Sequence, residues 1–381
     1  MTTSSHSGRP QILVSSTIPL TINKFHRDLI RKLLVHHNVC VVSSSGGDLD
    51  ELARDLPIRI EVLEMSRDIS IFSDFRALVD WVNLLRRERP EILLTATPKA
   101  SLLGLLAAWV TGVNSRVYYL GGLRLEGADG RRRQLLRLIE SLTCAAATRI
   151  ITNSPSLASR CVELRLAPRE KIGMTSPGSS HGVDVRHFFP TQRDDVLGAA
   201  LGLDSTLPVV GFVGRVTRDK GIDALVGAMG ILSSRGVAAQ LLVVGQQDES
   251  DSRMYLRMLG ELPGAVAIVG AVKDIRPYFS LMTVHALPSL REGFPNVVLE
   301  ASAMSIATIT TDATGATDSV IHGETGLIVP AGNSEALANA LQRLLGDRPF
   351  REQLGTRARS WVSEDFDPDS VVESFLRAAY L

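Results

Sequence analysis

The chain has 381 residues, 45% of them hydrophobic, enough to bury the cores of two domains of ordinary size. Its 41 Lys/Arg balance 41 Asp/Glu, yet residues 1–190 hold 25 basic against 18 acidic side chains and residues 191–381 hold 16 against 23. A basic first half implies an anionic partner, but aromatics at 5% and no basic–aromatic platform argue against nucleic acid.

The Ser/Thr-rich residues 1–10 have no apolar core and read as a disordered tail, not a leader. Short apolar runs at 11–15, 39–42, 58–63, 92–95, 116–120, 149–152 and 172–175 read as buried parallel strands. Residues 16–24 read as a loop. Helical periodicity fills 25–35, 72–89, 100–111 and 132–147. The apolar run from Ser101 to Val113 is too short to span a bilayer. Strands alternating with helices predict parallel βαβ units and a doubly wound sheet. Cys40, Cys144 and Cys161 sit in apolar or helical contexts and read as buried thiols of a reducing compartment. His26, His36 and His37 lack metal-ligand spacing and read as surface residues.

The Gly/Ser-rich segment 176–184 reads as a hinge, after which the pattern restarts. Strands are expected at 209–213, 240–244, 266–269, 284–287, 307–310 and 326–329. Helices are expected at 221–234, 275–281, from Val297, at 334–345 and at 370–381. The fold class is therefore α/β with two Rossmann-like domains, 11–185 and 186–365, facing a central crevice, plus a C-terminal segment 366–381.

The densest chemistry lies between residues 287 and 301, a loop from a strand end to a helix start, where an open α/β sheet collects ligands. It carries Glu292 and Glu300. Gly293 lets backbone approach a ligand, and the helix start supplies N–H donors for anions or hydroxyls. Upstream, Arg215 ends a strand and Lys220 precedes a helix, a fork and a point charge suited to phosphate oxygens. A tight turn with solvated glutamates and two surface cations is the plainer alternative, and Lys220 is expected to be exposed.

Glu292-Gly293-Phe294-Pro295 with Glu300, Thr314-Gly315-Ala316, Thr325-Gly326-Leu327-Ile328-Val329-Pro330, and Gly211-Phe212-Val213-Gly214-Arg215 with Lys220-Gly221 together resemble the retaining GT-B glycosyltransferases of family 4. The resemblance is strong over roughly 205–345 and weaker over the N-terminal half. It implies a first domain that binds acceptor, a second that binds a nucleotide-diphosphate sugar, and a last helix that crosses back onto the first domain. It also implies catalytic roles for Arg215, Lys220 and Glu292, the first two on the diphosphate and Glu292 at the transferred sugar, with Glu300 at the ribose. The implied donor site further includes Gly214, Gly245, Val272, Gly293, Phe294, Pro295 and Asn296.

In the first domain the same resemblance points to Thr17, Lys99, Gly121, Gly122, Arg124, Glu126 and His181. Here the chain departs from its relatives. Gly121 or Gly122 stands where many have a histidine, Thr95-Ala96-Thr97-Pro98-Lys99 loses another, and His181 replaces an Asn. No metal or other cofactor is expected, because Asp48-Leu49-Asp50 in a Ser/Gly loop and Asp365-Phe366-Asp367 near the C-terminus read as chance.

Arg131-Arg132-Arg133 followed by leucines at helical spacing fits an interfacial helix drawn to anionic lipid, or an ordinary amphipathic helix with a solvated basic end. The expected function is transfer of a sugar from a UDP- or GDP-sugar to a lipid-linked saccharide, or to another small acceptor, in cell-surface polysaccharide or secondary-metabolite biosynthesis. The expected location is cytoplasmic, at the inner face of the membrane where it touches lipid. The alternatives are a nucleotide-sugar epimerase of the same fold and a catalytically silent nucleotide-sugar-binding protein.

Overall fold

The structure, a computed structural model, describes residues 9–66, 70–247 and 251–381; most of the expected tail lies outside them. The chain divides into two units, one of residues up to 181 with 368–381, the other of residues 182–367.

In the first unit, β1 (Gln11–Ser15), α1 (Pro19–Phe25), α2 (Arg27–Leu33), β2 (Asn38–Ser43), α3 (Gly47–Asp55) and β3 (Arg59–Val62) come first. They are followed by α4 (Ile71–Glu88), β4 (Ile92–Ala96), α5 (Pro98–Thr111), β5 (Ser115–Leu120), α6 (Gly130–Ala146), β6 (Arg149–Thr152), α7 (Pro155–Glu163) and β7 (Ile172–Met174). The seven strands form one parallel sheet, β3-β2-β1-β4-β5-β6-β7. Every strand but the edge strand β3 buries most of its side chains. Ile12, Leu13, Val41 and Leu93, for example, have no exposed surface. α4 buries Ala77, Trp81, Leu84 and Leu85, the one-sided spacing of a helix on a sheet. It ends at Arg89 in the left-handed region, followed by Pro90, which cannot continue a helix.

The second unit runs α8 (Asp195–Ala200), β8 (Val209–Val213), α9 (Ile222–Ser234), β9 (Gln240–Val244), α10 (Ser252–Gly260), β10 (Val266–Val269) and α11 (Arg276–Leu281). Then come β11 (Val284–Ala286), α12 (Asn296–Ala303), β12 (Thr308–Thr311), β13 (Gly326–Val329), α13 (Ser334–Gly346) and α14 (Arg348–Asp365). Its six strands are also all parallel, ordered β10-β9-β8-β11-β12-β13, so strand order reverses between β8 and β11. The last helix, α15 (Pro368–Ala379), belongs to the first unit. Val372, Phe375 and Ala379 join that core, and Lys32 on α2 pairs with Asp369 at 3.0 Å and Glu373 at 3.1 Å.

Several expectations need correcting. Residues 16–24 are not a plain loop, and 25–35 is not one helix. Pro19 starts α1 early, and His26, at φ −121° and ψ 3°, breaks the run into two helices. His26 is also buried rather than on the surface, its ring edge-on to Tyr119 at 5.3 Å. Burial, reinforced by His181, pushes its pKa down to about 4. Asp48 and Asp50 lie in the first turn of α3, not in a loop. Helix α14 was not anticipated, because only Leu354, Gly355, Ala358 and Val362 of its eighteen residues are buried. Its one legible signal was Asp347, whose carboxylate caps the Phe350 N–H at 3.0 Å, with a proline two residues on.

Candidate active site

The second unit gathers most of its candidates at the carboxyl ends of β8 and β11, where strand order reverses and an open sheet leaves room for a ligand. Two glycines let the loops there touch backbone to backbone. Gly221 starts α9 at φ 72°, and a Cβ on it would lie 1.9 Å from the Pro288 carbonyl oxygen of the β11 loop. A Cβ on Gly245, after β9, would lie 1.9 Å from the carbonyl oxygen of Gly214, after β8. The Leu290 N–H donates to the Asp219 carbonyl at 2.9 Å, sealing the β8 loop to the β11 loop.

On this frame Lys220 and Glu292 meet. Lys220 Nζ lies 2.5 Å from Glu292 Oε1, with side chains 16% and 11% exposed. Lys220 is therefore not the solvated lysine expected. The Ser289 hydroxyl donates to the same Glu292 oxygen at 2.7 Å, and the Ser289 carbonyl accepts from Thr311 at 2.5 Å. The Glu292 N–H donates to the Thr314 carbonyl at 2.9 Å, so the Thr-Gly turn after β12 fixes the backbone under this carboxylate.

Arg215, exposed at the end of β8, lies 3.3 Å from Asp219. Asp219 also takes Arg291 at 3.0 Å and the Thr217 hydroxyl at 2.5 Å. Burial raises the Asp219 pKa, but the Thr217 hydrogen bond and the charges of Arg291, Arg215 and Lys220 outweigh it and hold the carboxyl below its ordinary range. Asp219, Ser289 and Arg291 were missed in the sequence. The only signal was adjacency, since Asp219 precedes Lys220 and Arg291 precedes Glu292.

Glu300 is half-buried on α12, one turn beyond the loop. The Phe294 ring is turned into the core against Phe366, at 5.6 Å between centroids, and Pro295 is buried as the N-cap of α12. Only backbone donors remain to them here, and Pro295 has none, so Gly293, Phe294 and Asn296 are the N–H groups beside the loop. Val272, after β10, is half-buried and packs into the cluster around Phe279.

The first-unit candidates sit in their own sheet, and most have structural partners. Thr17, after β1, bonds Thr97, after β4, at 2.8 Å between hydroxyls, and accepts the Ala100 N–H at 3.2 Å. It staples two strand ends and caps α5. Lys99 is not a solvated helix-start lysine but pairs with Asp74 of α4 at 2.6 Å. Glu126 pairs with Arg160 at 3.0 Å. Gly121 and Arg124 are exposed, Gly122 is half-buried at φ 135°, and the His181 N–H donates to Ser179 at 3.3 Å.

Residues 22–178 match the family described as glycosyl transferase 4-like domain, and residues 207–347 match glycosyl transferases group 1. The chain is 34% identical to the capsular polysaccharide biosynthesis glycosyltransferase CapM of Staphylococcus aureus, over 95% of its own length and 93% of CapM. The chain belongs to the glycosyl transferases group 1. It is also 25% identical to an N,N'-diacetylbacillosaminyl-diphospho-undecaprenol alpha-1,3-N-acetylgalactosaminyltransferase of Campylobacter jejuni, over 94% of this chain and 95% of that one. Among solved structures, HepE of Anabaena in complex with UDP and glucose superposes with a TM-score of 0.80 at 20% identity, covering 97% of this chain and 99% of HepE. That likeness establishes the GT-B class of α/β fold for this glycosyltransferase.

Among the described residues of this glycosyltransferase, no helix is long and apolar enough to cross a membrane, and no three His, Cys, Asp or Glu side chains gather as a metal site. All three cysteines are buried and free, and burial pushes the Cys40 and Cys161 thiols up to about 12.

Proposed function

We propose that this glycosyltransferase is a retaining, metal-independent enzyme that moves a sugar from a nucleotide diphosphate, a UDP- or GDP-sugar, to a lipid-linked saccharide of cell-surface polysaccharide assembly. The observation that carries the reading is the Lys220–Glu292 contact at 2.5 Å beside Arg215, at the strand-order reversal of the second unit. Breaking the sugar–phosphate bond leaves charge on the departing diphosphate. Fixed cations stabilise that charge without reorganising at the moment of reaction. Glu292, held by Ser289 and Lys220, is the group we assign to the sugar hydroxyls, and Glu300 the one we assign to the ribose. Arg215 and Lys220 supply the positive charge that a metal would otherwise bring, which is the ground for proposing metal independence.

The acceptor class is supported by the names of the capsular and diphospho-undecaprenol relatives. The family assignment does not favour the epimerase or silent-binder alternatives. We also propose lipid contact through the first unit, at the inner face of the cytoplasmic membrane. α6 exposes Leu135, Leu138 and Leu142 along one side beside Arg131, Arg132 and Arg133, and the end of α5 exposes Trp109 and Val110.

Incubation with a panel of UDP- and GDP-sugars, reading released nucleotide and the anomeric configuration of the product, tests the reaction. Turnover that survives excess chelator with retention is expected. Activity abolished by chelator and restored by manganese, or an inverted product, overturns the mechanism. Co-sedimentation with vesicles tests the membrane contact, with binding to phosphatidylglycerol but not to phosphatidylcholine expected.

A further inference from the structure

We infer that the first unit lies flat on an anionic bilayer along the face formed by α4, α5 and α6, with the first turns of α4 as its anchor. The inference rests on the lipid contact proposed above and deepens it, adding the anchoring helix and a single orientation.

The three helices cover the same side of the sheet, where Ala77, Leu103 and Cys144 pack with Leu13 and Leu93. Of the nineteen large apolar side chains exposed among the described residues, nine lie on their outer surfaces. Ile71 and Phe72, at 88% and 86%, are the most exposed of all, and Phe75 and Val79 continue the stripe at helical spacing. Trp109 and Val110 on α5 and three leucines along α6 extend it. Apolar surface gathered this way on one face marks a contact with something outside the unit.

The charges on this face select the partner. α5 exposes no charge, and α6 exposes only arginines. α4 exposes Arg76, Arg86 and an Arg87 paired with Glu61 and Glu88, against a single exposed acid, Asp80. Arg131, Arg132 and Arg133 fill the first turn of α6, the end where the helix dipole disfavours cations, so they do not serve the helix itself. Across the sheet the sign reverses. There α2, α3 and α15 expose six acids, Asp28 and Glu373 among them, against Arg31, Arg54 and Arg377. An anionic surface therefore attracts one face of the unit and repels the other. A second copy of the chain fits poorly, because a twofold interface would set the same arginines against each other.

The anchor is also tied to the ligand edge of this sheet. Asp74, between Phe72 and Phe75, pairs with Lys99 at the start of α5 at 2.6 Å. Thr97, just before α5, bonds Thr17 at 2.8 Å across the strand-order reversal between β1 and β4. A helix that follows a parallel strand starts near the carboxyl end of that strand, so the first turns of α4 lie at the edge where an open sheet takes ligands. A lipid-borne substrate reaches that edge without leaving the surface.

Co-sedimentation of the full chain with phosphatidylglycerol vesicles, alongside Trp109 fluorescence, tests this. Trp81 is buried and Trp361 belongs to the second unit, and a Trp109→Phe control isolates the signal. Vesicles should shift Trp109 emission to the blue, and lipid brominated near the head group should quench it. Phe72→Ser with Phe75→Ser is expected to weaken vesicle binding roughly 10–100-fold at an unchanged melting temperature. Replacing Arg131, Arg132 and Arg133 by Gln is expected to cost roughly 100-fold at low salt and progressively less as salt rises. Full binding in the phenylalanine double variant, or a Trp109 that stays in water while vesicles bind, overturns the inference and leaves lipid contact in general standing. A concentration-dependent dimer that the double variant dissolves overturns it as well and gives the face to a second copy. Wild-type protein that binds no anionic vesicle brings down the lipid-contact reading itself. The Trp109 signal needs no change in α4, so it decides the orientation even if the double variant fails to fold.

Discussion

Glu292 and Glu300 share a residue type but not an environment, and that difference sets what their loss should do. Glu292 is gripped by Lys220 and Ser289, whereas Glu300 sits on a helix turn beyond the loop. Glu292→Gln is expected mainly to slow turnover, and Glu300→Gln to weaken donor binding, each by a charge-assisted hydrogen bond of about 1.5–3 kcal/mol. Steady-state kinetics on both variants check this, and wild-type values in both would sink the assignment. Lys220→Ala should cut turnover roughly 10²–10³-fold. It should also lower the melting temperature, because the near-buried Glu292 then keeps Ser289 but loses its counter-charge. Glu140 makes a contrasting case. Burial pushes its pKa up to about 7, against a smaller downward pull from the Tyr118 hydroxyl that donates to it at 2.7 Å. The native state therefore holds a proton that the unfolded chain releases from its ordinary value of 4.5. Stability should fall as pH rises from about 4.5 to about 7, by on the order of 3 kcal/mol. Melting curves should show that loss in the wild type and a flatter profile in Glu140→Gln.

The elements that present these residues depend on backbone contacts that no side chain announces. Gly221→Ala puts a methyl onto the Pro288 carbonyl at a left-handed position, so the β8 and β11 loops must part. A melting temperature lower by several degrees and a loss of donor affinity are expected. Gly230→Ala, in α9 with nothing within 4 Å, is the control and should be neutral or stabilising by up to about 1 kcal/mol. Strands and the Glu-Gly-Phe-Pro loop were legible because a buried parallel strand is a short unbroken apolar run and a glycine-rich stop follows it. α14 and α3 were not, since a helix that buries a narrow stripe looks like loop in composition. The break at His26 was also hidden. Nothing in its identity says that it will be buried against Tyr119.

At the scale of the whole molecule, acid stability should be set by buried histidines that must charge on unfolding. In the second unit, burial pushes the His285 pKa down to about 3, and its Nδ1 lies 3.3 Å from the Thr308 hydroxyl. Its folded value is below the unfolded 6.5, so the stability it contributes is present above pH 6.5 and is lost as pH falls toward 3. His285→Phe should flatten that acid limb between pH 6.5 and 4.5, checked by melting temperature across the series. Charge asymmetry, two α/β repeats, and the positions of Arg215, Lys220, Glu292 and Glu300 were all set by the sequence alone. Each depends on local composition or on spacing along the chain. Only the tertiary structure decided which charges neutralise one another. The Lys220–Glu292 pair and the Asp219–Arg291 pair each span seventy-two residues. Glu292 also depends on the Thr314 carbonyl after β12, and Lys99 turned out to belong to Asp74. Such contacts arise from strand order, which brings β8 beside β11, and no periodicity in the chain encodes which loops will meet at that reversal.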